Sequence, residues 1–188
     1  MRTSDNRYAK DLRRRDLAAL MIAYEARTQT IADWTGLSKY QIQTMFREYE
    51  EFSGHPRHRG LPPFQPAFFS KSLQHECEAA ALAAVELDMG IIRQRPSSSG
   101  QGPFPGLVRG ERALNAFQLF RGLVPDARTS LEHALLLASE LTIARTLTLR
   151  RCIACAGLMV VDLSGRLHEV CAFCRLSGDG VAGEASSG

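Results

Sequence analysis

Cys152-Ile153-Ala154-Cys155 and Cys171-Ala172-Phe173-Cys174 form the pattern C-x2-C-x15-C-x2-C, and this spacing constrains the chain more than any other feature. Each pair turns two thiolates toward one point, and two pairs at this separation match the ligand spacing of a tetrahedral zinc site. Cys77 brings the cysteines to five, an odd number, which argues for metal binding over a disulfide framework. Between the pairs, 158–163, Ser164-Gly165 and 167–170 read as strand, turn and strand, the pattern of a zinc ribbon. Four thiolates leave no open position for water, so the expected zinc, one ion per chain, is structural and not catalytic. The rival reading makes the pairs redox dithiols that close into disulfides. His168, three positions before Cys171, reads as a substitute ligand, an orienting group or an ordinary exposed histidine. Cys77, on an apolar helix face, reads as a buried, inert thiol.

With 188 residues and 45% hydrophobic positions, the chain can bury one moderate core or two small ones, which excludes a large multidomain enzyme. No apolar run approaches the roughly 20 residues needed to span a bilayer, and the charged N-terminus has no secretory core. The expected location is therefore the cytoplasm, with no membrane partner. The formal charge is +3, and four zinc-bound thiolates would lower it to about +1. Any affinity for DNA must then come from local basic patches, namely the N-terminal arm, the second helix of the hairpin below and the connector arginines, or from pooling weak contacts across an oligomer.

Apolar spacing predicts mainly helix. Leu17, Leu20, Met21 and Tyr24 define an amphipathic helix over about 8–27 behind a charged arm. Thr30 and Asp33 make a start signal for a short helix that Gly36 interrupts, and Ser38 with Gln41 forms a capping box for the next. Six glycines and prolines between 54 and 66 exclude continuous helix there, leaving a stiff connector that carries His55, Arg57, His58 and Arg59. Further helices are expected over 67–89, 107–123 and 130–148. The stretch PSSSGQGPFPG at 96–106 reads as a low-complexity loop. The expected organisation is a helical domain over 1–150, a four-cysteine zinc ribbon over 151–175 and a flexible tail over 176–188.

Residues 28–50 have the spacing of a DNA-binding helix-turn-helix: Ile31 and Ala32 before Gly36, then Leu37, Ile42 and Met45 at core positions. Lys39, Tyr40, Gln43, Thr44 and Arg47 fall away from that apolar face, and these types can reach base edges or phosphates. Glu48, Glu50 and Glu51 argue the other way, and a plain helical hairpin would show the same apolar spacing. The sequence has no Gly-x-Ser-x-Gly elbow, phosphate loop or dinucleotide glycine pattern, so an enzyme is not expected.

The order of these features resembles the FlhC family, the C subunits of the flagellar master transcriptional activator. The resemblance spans roughly 17–175 and rests on the connector SGHPRHRGLPPF, Phe68-Phe69 shortly after it, the leucine-rich helix, and the CIAC and CAFC pairs. It implies a hetero-oligomer with FlhD subunits that binds promoter DNA and recruits RNA polymerase to flagellar genes. It also implies one zinc ion held by Cys152, Cys155, Cys171 and Cys174. Outside this resemblance, a zinc-stabilised protein interaction module and a thiol redox sensor remain open.

Overall fold

The computed structural model describes residues 3–54, 60–93, 106–165 and 168–178. Among these, seven helices and one two-stranded sheet follow in the order α1 (Thr3–Ala23), α2 (Thr28–Thr35), α3 (Lys39–Ser53), a 3-10 turn (Pro66–Ser70), α4 (Leu73–Asp88), α5 (Leu107–Leu123), α6 (Leu131–Ile143), β1 (Leu147–Arg151), β2 (Leu158–Asp162) and α7 (Ala172–Ser177). The protein is thus mainly helical, with a small C-terminal hairpin that carries the cysteine cluster. Among the described residues, no helix is long and apolar enough to cross a membrane.

One core unites the first six helices. Leu17, Ala18, Met21 and Ile22 of α1 meet Ile31 and Trp34 of α2, Ile42 and Phe46 of α3, and Ala113, Leu114, Phe117 and Phe120 of α5. Gly110 marks a close crossing, because a Cβ there would lie 2.9 Å from Leu17 Cδ2 and 3.3 Å from Trp34 Cε3. The alanines of α4 serve a similar purpose: Ala79 and Ala83 are fully buried beside Leu82, and short side chains let neighbouring backbones approach.

Buried carboxylates tie the helices together. Glu132 of α6 accepts the Arg27 backbone N–H at 2.9 Å, the Thr30 hydroxyl at 2.8 Å and the Arg27 guanidinium. This explains a departure from the expected start of α2. Thr30 and Asp33 do not cap it; the helix begins at Thr28 behind Arg27, with no side-chain cap of its own. Thr30 instead turns to Glu132, and Asp33 accepts a bond from Gln29 at 2.7 Å.

Three other boundaries differ from expectation. The expected charged arm is already helical, since α1 begins at Thr3 and ends at Ala23. The helix expected over 67–89 is divided, because Ser72 caps α4 by accepting from the His75 N–H and leaves Pro66–Ser70 as a separate turn. Helix α6 stops at Ile143, with Ala144 left-handed at φ 51°, and 147–151 become β1 because they pair with β2. That strand spans the expected 150/151 boundary, and Leu147 remains part of the helical core.

The pairing corrects the zinc-ribbon expectation. β2 pairs antiparallel with β1, from Leu147 opposite Asp162 to Arg151 opposite Leu158, and not with 167–170, where the described residues 168–170 form no strand. The strand before the first cysteine pair wins because pairing with it places Met159 and Val161 against the cysteines and Leu158 and Val160 against the helical core. The connector cluster His55, Arg57, His58 and Arg59, the loop 96–105, Leu167 and the tail from 179 lie outside the described residues.

Candidate metal centre and exposed helical face

The two cysteine pairs reach one point by different local structures. The first pair lies in the β1–β2 turn, which closes through Cys152 N–H to Gly157 O at 2.9 Å and Ala156 N–H to Cys152 O at 2.9 Å. Ala156 takes the left-handed conformation at φ 58° that this reversal needs. The second pair opens α7: Cys171 is its N-cap, and the Cys171 sulfur accepts the Cys174 N–H at 3.5 Å. A bond from Ile153 N–H to Glu169 O at 3.0 Å joins the two pieces. The Arg175–Glu76 ion pair fastens α7 to α4.

Cys155 and Cys171 place their sulfurs 3.7 Å apart, and Cys152 and Cys174 theirs 4.0 Å apart. All four lie within 4.8 Å of one another. An ion bonded tetrahedrally to four sulfurs at about 2.3 Å separates them by about 3.8 Å, so the cluster fits a metal ion and is compatible with zinc. Backbone N–H groups point at the sulfurs as well, Cys171 N–H to Cys152 at 3.2 Å and Gly157 N–H to Cys155 at 3.3 Å. Such donors favour thiolates.

The electrostatics show why the cluster suits a cation. Burial opposes ionisation of Cys152, but N–H donors from Cys171, Cys155 and Ala154 outweigh it and hold its thiol down to about 6. Cys174 is pushed the opposite way by the Cys155 and Cys171 sulfurs and by burial. Four sulfurs at this spacing repel one another as thiolates, and a divalent ion removes the conflict. Three of the four are buried and Cys155 is exposed. With four sulfurs filling a tetrahedron, a bound ion would hold the hairpin to α7.

His168 does not join the sulfurs; it lines a cleft with Ser70, Glu76 and Asp162. Cys77 is half-buried, less enclosed than its apolar helix face implied, and burial and the neighbouring Cys171 raise its thiol.

The other candidate residues share one face. Gly36 closes α2 in the left-handed conformation at φ 71°, and Leu37 and Ser38 complete a three-residue turn into α3. The Ser38–Gln41 capping box forms as the sequence predicts. Burial of Ile42 and Phe46 turns Lys39, Tyr40, Gln43 and Arg47 outward, all exposed, with Thr44 half-buried among them. Thr44 donates to Tyr40 O at 3.2 Å and accepts from Arg47 at 3.4 Å. Glu48 and Glu51 follow on the exposed last turns.

Sequence reasoning missed two contributors. β1 was legible only as the alternation of 146–151 ahead of Cys152, which the helical reading of 130–148 absorbed. Arg14, one of three consecutive arginines, gave no sign of its destination: its guanidinium lies over the α2–α3 turn, where a Cβ at Gly36 would be 3.7 Å from its Nη2. No protein-family model matches the chain, and no curated protein matches it.

Proposed function

We propose that this protein is a cytoplasmic DNA-binding subunit of a transcriptional activator, built on a helical domain and stabilised by one structural zinc ion at Cys152, Cys155, Cys171 and Cys174. It acts with FlhD-type subunits, as the resemblance to the FlhC family implies, and recruits RNA polymerase to flagellar promoters. Its role is binding and not catalysis.

The observation that carries the reading is the α2–α3 unit. A three-residue turn with a left-handed glycine fixes two short helices, and the second presents Lys39, Tyr40, Gln43, Thr44 and Arg47 on one outward face. Helix-turn-helix proteins insert such a helix in the major groove, with its N-terminal residues nearest the bases. The zinc site supports the same reading by organising a hairpin and a six-residue helix that are too small for a core of their own.

Co-expression with an FlhD subunit, followed by size measurement, zinc analysis and promoter-DNA shift assays, tests it. The expected result is a complex with one zinc per chain whose DNA affinity falls steeply as salt rises. Failure to associate, or an absent or salt-insensitive shift, overturns the reading.

Phe52, 93% exposed in the last turn of α3 next to its acidic residues, favours a second one, a zinc-stabilised module that binds only protein. Partner binding that survives Arg47→Ala and Lys39→Ala, with no DNA shift, is its mark.

A further inference from the structure

Basic charge on α3 ends at Arg47, where Glu48, Glu50 and Glu51 follow. In the other direction it does not end at Lys39. Helix α1 passes the same turn at Arg14, and its three consecutive arginines take different courses. Arg13 pairs with Glu111 on α5, Arg15 is exposed, and Arg14 lies over Gly36. Arg7 and Lys10, both exposed, stand at i−7 and i−4 from Arg14 and share its side of α1. The row Arg7, Lys10 and Arg14 on α1 therefore has its Arg14 end at the turn from which the row Lys39, Gln43 and Arg47 on α3 starts.

We propose that these rows form one surface for duplex DNA, with α1 holding the sugar-phosphate backbone beside the groove that α3 enters. The inference rests on the nucleic-acid reading of α3 and adds its backbone clamp. At 1.5 Å per residue the α1 row is about 10 Å long and the α3 row about 12 Å, and a major groove is about 12 Å wide. One row can thus occupy a groove while the other lies along its edge. Arginine suits the second task, because its fork matches phosphate oxygens and fixes register without reading sequence. Asp11 bonds Arg14 at 3.3 Å and both remain solvent-accessible. Asp11 is therefore an internal counter-ion that phosphate displaces.

The test is fluorescence anisotropy with a short mixed-sequence DNA duplex across a salt series, on the full chain alone and with its co-expressed FlhD partner. Arg7→Gln and Lys10→Gln, at exposed positions that leave the core untouched, should each lower the slope of log affinity against log salt by about 1. Arg14→Ala should do the same, and Asp11→Asn should tighten binding. If the α1 variants keep the wild-type slope while Arg47→Ala weakens binding, the clamp is overturned and the α3 reading stands. If neither form of the wild-type protein binds the duplex, both fall. Equal binding of an acidic peptide or single-stranded RNA overturns the assignment to duplex DNA.

Discussion

The Glu78 carboxylate on α4 accepts both the backbone N–H of Thr129 at 3.0 Å and its hydroxyl at 2.8 Å, fastening the α5–α6 connection to the middle of α4. The Arg128 N–H at 3.0 Å and the Gln74 amide at 2.9 Å complete its shell. A single side chain thus satisfies backbone donors that no regular element reaches.

Glu78→Ala leaves the buried Thr129 donors and the Arg128 N–H without their acceptor. At about 1–3 kcal/mol for each orphaned group, the expected loss is about 3 kcal/mol in urea unfolding. Burial opposes ionisation of Glu78, but the Thr129, Arg128 and Gln74 donors outweigh it and hold its carboxyl below the ordinary 4.5. Its contribution is therefore present above pH 4.5 and lost as pH falls through the lower folded value. The variant should lose less stability on acidification than the wild type, and an equal loss would refute the assignment.

Glu86 behaves oppositely. It is 1% exposed, and its Oε2 has no hydrogen-bond partner. Burial raises its carboxyl well above 4.5, so the folded state retains a proton that the unfolded chain releases, and stability falls as pH rises above that value. Glu86→Met removes the penalty at similar length. It should raise stability at neutral pH by about 1 kcal/mol, with a gain that grows with pH. A gain independent of pH would show that the carboxyl is not the cause.

Chelation should release one ion per chain and unfold the hairpin and α7 while most helical signal persists, because Met159, Val161 and the cysteines form a cluster apart from the helical core. Cys171→Ser and Cys174→Ser should each weaken metal binding at least tenfold by native mass spectrometry under competition. A doubly substituted chain that still holds its ion would remove the site.

The α2–α3 turn depends on Gly36 at φ 71° and on the Ser38 cap. Gly36→Ala places a Cβ in the left-handed region and should cost about 1 kcal/mol, without a clash, since Arg14 would be 3.7 Å away. Ser38→Ala removes an N-cap acceptor and should also cost about 1 kcal/mol. Thermal melts of both variants check these values, and an unchanged melt for Gly36→Ala would mean that the turn relaxes.

Signals confined to a few neighbouring residues survive from sequence to structure. The two-residue spacing within each cysteine pair, the Ser38–Gln41 box, the turn at Gly36 and the bounds of α5 each depend on groups within a few positions, where geometry allows few outcomes. The same locality explains the outward face of α3, which follows from the burial of Ile42 and Phe46 at helical spacing.

What only the tertiary structure decided involves choices between distant partners. β2 could pair forward or backward, and it pairs backward with β1 because that register buries both faces of the hairpin, one on the cysteines and one on the helical core. Thr30 could cap α2, but Glu132, 102 positions away, takes its hydroxyl. Arg13 and Arg14 are chemically identical neighbours, yet one pairs across to α5 and the other covers the turn to α3. Sequence determined the local chemistry because short-range sterics and ligand spacing are fixed by the chain itself. Long-range pairing was decided by which arrangement leaves the fewest buried groups without partners, and that sum exists only in the folded molecule.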